Sequence, residues 1–349
     1  MTNVEDIRNH SSQWVFIAPL AGVELTKAVN NEFKISRVSL IAKRKLARVR
    51  KRYGLDITKN EFDERIIGSH SWTGPKADTY AIIRCSGKPK ELQRECISIV
   101  KDELHILASS QLGYGKRRTN SHPSLMGYQN KGQISYLFHD SKSERGIYSN
   151  QLIGKYMPLS MSYGWKRHHK ESFFIELLRL INGNSVKRGW RKTLRRAAIM
   201  IGQSQCSNDL VQSFIWNMIV LEMLLKKEGD KYIDVLPERI EAFIGWIGYW
   251  SVGNYEKWIQ EVYKKRCKFV HNGQWENIGV LDLLFTDDIL LNLLVNIVRH
   301  PRIFHSKDAV IEFADKVKAE HVLGIKPRVR PKSMVFFSRR YSENDLSEI

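Results

Sequence analysis

The chain has 349 residues, 42% of them hydrophobic and 27% charged, which excludes a disordered or fibrous protein and allows two domains with sizeable cores. It carries 56 Lys and Arg against 37 Asp and Glu, a net charge of +19. That surplus points to a polyanionic partner, nucleic acid before an anionic membrane surface, with a generally basic enzyme as the plainer alternative. The four cysteines, Cys85, Cys96, Cys206 and Cys267, form no CxxC pair and adjoin no histidine cluster. They make neither a disulfide framework nor a zinc site, and no metal or other cofactor is implied. Met1 to Asp6 is polar and acidic, unlike a secretory leader. The most apolar window, 210–225, is too short to span a bilayer and contains Gln212, Asn217 and Glu222. A cytoplasmic location without membrane attachment is the expectation.

In chain order, the first half has mixed α and β character. Trp14 to Leu20 is a short apolar run closed by a proline, and Phe33 to Leu40 alternates apolar and polar; both patterns predict strands. Asp78 to Cys85 is a third strand, ended by Ser86-Gly87. A helix follows over about 89–111, with Leu92, Cys96, Ile99, Val100, Leu104 and Leu107 on one stripe. Residues 113–132 have loop composition, and Gln133 to Phe138 reads as a further strand. His168-His169 lacks thiol or acidic partners at ligand spacing and reads as a polar linker.

From about residue 170 the period is helical, with segments near 172–182, 184–202, 207–227, 235–250, 254–271, 281–299 and 307–320. The segment at 207–227 is apolar around most of its circumference, the mark of a central bundle element. Ser207 or Asn208 is its expected N-cap, and Gly229 its stop. Asp287-Asp288 reads as an N-cap and first turn. The fold class is therefore α+β. A mixed domain over 1–165 precedes an all-α bundle over 166–325, and a tail over 326–349 is loosely packed or extended.

Candidate chemistry concentrates at the end of one helix. In 254–273, Tyr255, Trp258, Ile259, Val262, Phe269 and Val270 give an apolar stripe, and Arg266 projects near its edge. His271 falls in the last turn, where the helix dipole favours an imidazolium, and Asn272-Gly273 ends the helix. Upstream, Glu222 is a lone charge in the apolar segment. It is either a charge on that helix's wet strip or a carboxylate that pairs with Arg266 or orients His271.

The stretch Tyr263 to Gly273, following the apolar helix that carries Glu222, resembles the HEPN family of small helical domains, most nearly its Apea-like branch of bacterial defence proteins. Ribonuclease members of that family carry Arg-x4-6-His on one helix, and Arg266-x4-His271 fits that pattern. The position after the arginine, polar in many active members, holds Cys267. The resemblance implies metal-independent RNA cleavage by a homodimer whose motifs face one cleft. His271 would act as general base or acid, Arg266 would hold the scissile phosphate, and Glu222 would support them. The non-catalytic alternative is a HEPN-like module that binds nucleic acid or a regulatory protein partner.

Two basic clusters could follow an RNA backbone. Lys43, Arg44, Lys45, Arg48, Arg50, Lys51 and Arg52 put seven cations into ten residues. Arg188, Arg191, Lys192 and Arg195, beside Lys187 and Arg196, make a basic face at helical spacing. Trp190 within the second cluster either stacks on a base or is buried in the bundle.

Overall fold

A computed structural model describes residues 13–55, 57–62, 77–87, 89–114, 117, 122–126, 134–138, 147–151, 158–244, 255–326 and 328–337. The fold is α+β, in two compact units: residues 1–104 with 122–163, and residues 105–121 with 164–349.

The first unit is built on a five-stranded antiparallel sheet of order β3-β4-β5-β1-β6, formed by β1 (Gln13–Ala21), β3 (Glu32–Lys34), β4 (Ser39–Ala42), β5 (Thr79–Ser86) and β6 (Ser124–Leu125). β2 (Val23–Leu25) pairs in parallel with β9 (Leu159–Met161), and β7 (Ile134–Phe138) pairs antiparallel with β8 (Ile147–Gln151). Thr79 to Ile83 of β5 are all buried, so this central strand is covered on both faces. The single strand expected over 33–40 is instead the hairpin of β3 and β4. The apolar period slips at Ser36-Arg37, and Ile35 N–H donates to Val38 O at 3.1 Å to close the turn. Two helices cover this region, α1 (Lys43–Tyr53) and the short α2 (Lys59–Phe62). Leu46 and Val49 of α1 join Ile41, Phe62, Tyr80 and Ile82 in one apolar cluster. α3 (Pro89–Ala108) buries Leu92, Cys96, Val100, Leu104 and Leu107, all on the expected stripe.

The second unit holds α4 (Tyr163–Glu171), α5 (Phe174–Asn182), α6 (Arg188–Cys206), α7 (Leu210–Leu225), α8 (Tyr232–Ile244), α9 (Tyr255–Asn272), α10 (Val280–Arg299) and α11 (Lys307–Val322). The part of the expected helix at 245–250 lies outside the described residues. α7 is the central element, packed against α6 and α10, with Phe214, Met218, Val220, Leu221, Leu224 and Leu225 all at most 1% exposed. Its N-cap is Asp209, whose carboxylate accepts Gln212 N–H at 2.9 Å; Ser207 instead takes Asp209 N–H. The helix stops at Lys226, four hydrogen-bonding positions after Glu222 and before Gly229 is reached. A Cβ on Gly202 would stand 1.8 Å from His105 O, so glycine is what lets α6 approach the 105–111 segment.

Three polar features of this unit differ from expectation. Asp287 lies in the middle of α10 and is 1% exposed, because the helix already starts at Val280, with Asp282 accepting Gly279 N–H at 2.8 Å. Arg117 Nε donates to Asp287 Oδ2 at 3.1 Å and Arg117 Nη1 to Ser204 O at 2.6 Å. Gln205 and Asn217 add bonds to Asp287 at 3.1 and 2.8 Å. His168-His169 is helical, not a linker. His169 is fully buried among Trp165, Tyr114, Phe174 and His168, and neither of its ring nitrogens has a partner among the described residues. Residues 328–337 are pinned to the bundle and not loose: Val335 and Phe337 exchange backbone hydrogen bonds with Asn296 and Asn292.

Two stability experiments follow from these groups. Arg117→Met strands a buried carboxylate and should cost about 3–5 kcal/mol in denaturant unfolding. The double variant Arg117→Met, Asp287→Leu should recover part of that loss, and a silent single variant would contradict the network. Burial, with a smaller effect of His168, pushes His169 down to about 3 from 6.5. Between those values the unfolded chain binds a proton that the folded chain refuses. Stability should therefore fall as pH drops from 6.5 towards 3, by up to about 1.4 kcal/mol per pH unit. Urea titrations of the wild type and His169→Phe across that window should diverge, the variant keeping the flatter curve.

Candidate functional site

α7 and α9 bring Glu222 and Arg266 together. Both lie at the edge of the bundle, with side chains 16% and 17% exposed. Arg266 Nη2 donates to Glu222 Oε2 at 3.0 Å, and Arg266 Nε lies 2.8 Å from Oε1. Of the alternatives for Glu222, the geometry therefore gives the pair with Arg266. Two tyrosines close over this pair. Tyr232 of α8 meets Tyr263 of α9 edge-on, with ring centroids 5.1 Å apart, and the Arg266 guanidinium stands 6.0 Å from the Tyr263 centroid. Lys226, at the C-terminus of α7, reaches to 5.9 Å from the Tyr232 ring.

This pocket of side chains is short of water, and its proton affinities follow. Burial pushes the Glu222 carboxyl up, against the pull of Arg266 and Lys226. Burial, then the negative charge of Glu222, holds the Tyr232 phenol well above its ordinary range. Tyr263 is pushed up to about 12, first by burial and then by Cys267 beside it. The arginine is thus oriented by a carboxylate in a half-buried corner, through one hydrogen bond from Nη2; neither Nε nor Nη1 makes a hydrogen bond among the described residues.

His271 lies elsewhere on the same helix. Residues i and i+5 diverge by about 140° around an α-helix and are separated by roughly 7.5 Å along it. Accordingly His271 shares the exposed stripe of Lys257, Glu261, Lys264 and Lys268, while Arg266 faces α7. Its local backbone is well defined: Gly273 N–H donates to Phe269 O at 2.9 Å and Gln274 N–H to Lys268 O at 3.4 Å, with Gly273 left-handed at φ +69°. The buried stripe of α9 is narrower than the sequence pattern. Ile259 and Val262 are buried, but Trp258 and Val270 are 56% and 50% exposed. Trp275 and Leu281, just beyond the helix, are 56% and 67% exposed, so His271 is neighboured in sequence by uncovered apolar side chains.

The basic candidates fall in separate units. On α1, Arg44, Arg48, Lys51 and Arg52 are exposed. Arg44 is bonded to Asn31, Arg50 to Ile57 O and Arg52 to Glu32. Lys43, Lys45, Arg48 and Lys51 make no ion pair among the described residues. On α6, Arg188 and Lys192 are exposed, Arg195 is half-buried, and Arg191 is tied to Gly183 O and Asn184. Trp190 is 3% exposed and donates to Phe304 O at 2.9 Å, which removes it as a stacking platform. Tyr232 and Lys226 were not singled out from sequence. Tyr263 stands three residues before Arg266, a spacing that places both on one helix face.

Removing the arginine isolates a charge that burial already disfavours. Arg266→Met should destabilise the protein by about 1–3 kcal/mol at neutral pH. Because the Glu222 carboxyl is raised in the folded state, the penalty should shrink as pH falls through the carboxylate range, where protonation removes the stranded charge. Thermal unfolding of Arg266→Met, with and without Glu222→Gln, tests this; a loss that is independent of pH would contradict it.

Searches of protein-family models, curated proteins and solved structures find no match to this chain.

Proposed function

We propose that the protein is a metal-independent endoribonuclease of a bacterial defence or toxin-type system, acting in the cytoplasm as a homodimer. The observation that carries this reading is the divided motif of α9: a carboxylate-held Arg266 and a solvent-facing His271 about 140° apart on one helix. Two such residues do not converge on one phosphate from a single helix, whereas a second copy laid against the end of α9 supplies the missing half. Exposed Val270, Trp275 and Leu281 offer apolar area for that contact. The +19 charge and the cations of α1 suit a polyanionic substrate. Four unpaired cysteines suit a reducing compartment. Among the described residues no helix is long and apolar enough to cross a membrane.

In the proposed reaction His271 takes the proton of a ribose 2′-hydroxyl as its oxygen attacks the adjacent phosphorus. The bond from phosphorus to the 5′-oxygen breaks, and that oxygen leaves with a proton from the imidazolium of a second copy. Arg266 offsets charge building on the non-bridging oxygens. The products are a 2′,3′-cyclic phosphate and a 5′-hydroxyl.

One observation favours the binding-module reading: the guanidinium is already ion-paired with Glu222, to which Nη2 donates. Cleavage of RNA in the presence of a chelator separates the two readings. His271 is exposed, so His271→Ala should leave stability within about 0.5 kcal/mol while abolishing cleavage. It is thus a cleaner probe than any change at Arg266. Cleavage that persists in folded His271→Ala sinks the ribonuclease reading; salt-sensitive RNA binding without cleavage in the wild type supports the module.

A further inference from the structure

α1 turns a continuous cationic face to solvent, and the sheet beneath it extends that face. Leu46 and Val49 are the buried positions of the helix, at 0% and 1% exposure, and pack on Ile41, Tyr80 and Ile82. The exposed positions are Arg44, Ala47, Arg48, Lys51 and Arg52, an i, i+3, i+4, i+7, i+8 stripe in which alanine is the one uncharged member. Cations one turn apart stand about 6 Å from each other along the axis. The ends of the stripe are held from outside the helix: Arg44 bonds the Asn31 side chain, and Arg52 Nη1 donates to Glu32 Oε1 at 2.5 Å. Between them, Arg48 and Lys51 make no ion pair among the described residues. Arg84 adds a cation that the run over 43–52 does not contain. On β5 it shares a face with Tyr80 and Ile82 and so emerges on the α1 side, exposed. Its guanidinium stands 4.8 Å from the ring centroid of Tyr53, the last residue of α1.

The chemistry of this face selects among polyanions. A basic helix that enters a lipid surface needs an exposed apolar side, and α1 has none: its leucine and valine are in the core and its one exposed apolar residue is Ala47. A single nucleic-acid strand needs aromatic platforms on which its bases stack, to offset the order imposed on a flexible chain. Trp14, 44% exposed, pairs with Cys85 in the register of β1 on β5, so it lies on the sheet face opposite Arg84. Tyr53 is half-buried and already meets the Arg84 guanidinium. A duplex requires neither an apolar side nor a platform, because its phosphates are already fixed in a row and backbone contacts alone hold it. Like charges one turn apart, and three cations in a first turn where the dipole is already positive, oppose the helix until an anion lies along it.

We propose that the outward stripe of α1, completed by Arg84 of β5, is a docking surface for the phosphate backbone of double-stranded nucleic acid, bound without regard to sequence. Arg48 and Lys51 at its centre make the main phosphate contacts, and Arg84 continues them past the end of the helix. Asn31 and Glu32 keep Arg44 and Arg52 in line with the stripe, so little side-chain order remains to be imposed on binding. This surface lies outside the ribonuclease reading and does not rest on it, since it uses neither Arg266, Glu222 nor His271.

Fluorescence anisotropy of the full chain with a labelled DNA duplex tests the docking surface. With about three to five cations on phosphates, the logarithm of the binding constant should fall against the logarithm of salt concentration with a slope of about −3 to −4. Combining Arg48→Gln, Lys51→Gln and Arg84→Gln should weaken binding by about 100-fold at low salt and flatten the slope by about 2 to 3. The pair Arg48→Gln, Lys51→Gln leaves the contact of Arg84 with Tyr53 in place and relieves repulsion on α1, so it should melt no lower than the wild type while still losing affinity. If the triple variant fails to fold, that pair carries the test alone. Wild-type affinity and slope in the folded variants would overturn the proposal, as would a wild type that binds no duplex at low salt. Tighter binding to a single strand of the same length overturns it too, and so does binding to anionic phospholipid vesicles with none to duplex. DNA has no 2′-hydroxyl and is no substrate for the proposed cleavage, so failure here and failure of the ribonuclease reading are separate results.

Discussion

A carboxylate at the centre of an apolar helical unit must be matched by donors, and Asp287 sets the terms for that unit. Its oxygens collect Arg117, Gln205 of α6 and Asn217 of α7, while Arg117 also reaches Ser204 O of α6. An unpaired charge at 1% exposure would cost several kcal/mol, so only one relative register of α6, α7 and α10 is tolerated. An apolar core of leucine and isoleucine would permit neighbouring registers at little cost. The consequence reaches the candidate site, because Asn217 and Glu222 stand on the same helix. Fixing Asn217 against Asp287 fixes where Glu222 emerges, and hence where Arg266 is held. α10 extends the same logic along its length: Asp282 takes Lys265 of α9, Asp287 gathers the core donors, and Asn292 and Asn296 bind the backbone of Phe337 and Val335.

Periodic features were legible in the sequence where one principle acted alone. The apolar circumference of 207–227 announced the central helix, and Asn272-Gly273 announced the end of α9. Features decided by tertiary partners were not. Asp287 has the composition of a helix start, but Gly279 and Asp282 cap the helix first. His168-His169 reads as polar, yet four aromatic neighbours bury His169. Residues 328–337 have a basic composition, but backbone pairing with two asparagines is independent of their side chains. At the candidate site, Arg266, His271 and Glu222 were all visible as residues. Which of them meet was not, because i to i+5 spacing separates Arg266 from His271 while forty-four residues of chain fold Glu222 onto Arg266.

The positive charge is also not spread evenly in its consequences. α1 has no acidic residue, no side-chain N-cap, and Lys43, Arg44 and Lys45 at the end where the helix dipole is already positive. Only Leu46 and Val49 are buried from this helix. Mutual repulsion and the unfavourable dipole each oppose it, and the pairings of Arg44 and Arg52 with Asn31 and Glu32 relieve part of the strain. A polyanion laid along α1 would remove the rest; α6 shares the acid-free, uncapped and basic start. On α6, Arg191 is consumed by the loop before the helix and Trp190 by the core.

The state of Arg266 decides how any phosphate would be met. Breaking the pair with Glu222 would leave a carboxylate that burial already disfavours, at a cost of about 1–3 kcal/mol. A single new contact between arginine and phosphate returns about 1.5–3 kcal/mol, so displacement gains little. Retention keeps both contacts. Glu222 occupies the Nε and Nη2 side of the guanidinium, and Nη1 makes no hydrogen bond among the described residues. Held this way, the arginine loses little side-chain entropy on meeting an anion, because the carboxylate has already fixed its plane. Glu222 would then bear on a bound anion only through Arg266, and the edge-on tyrosine pair packs beside the guanidinium it holds.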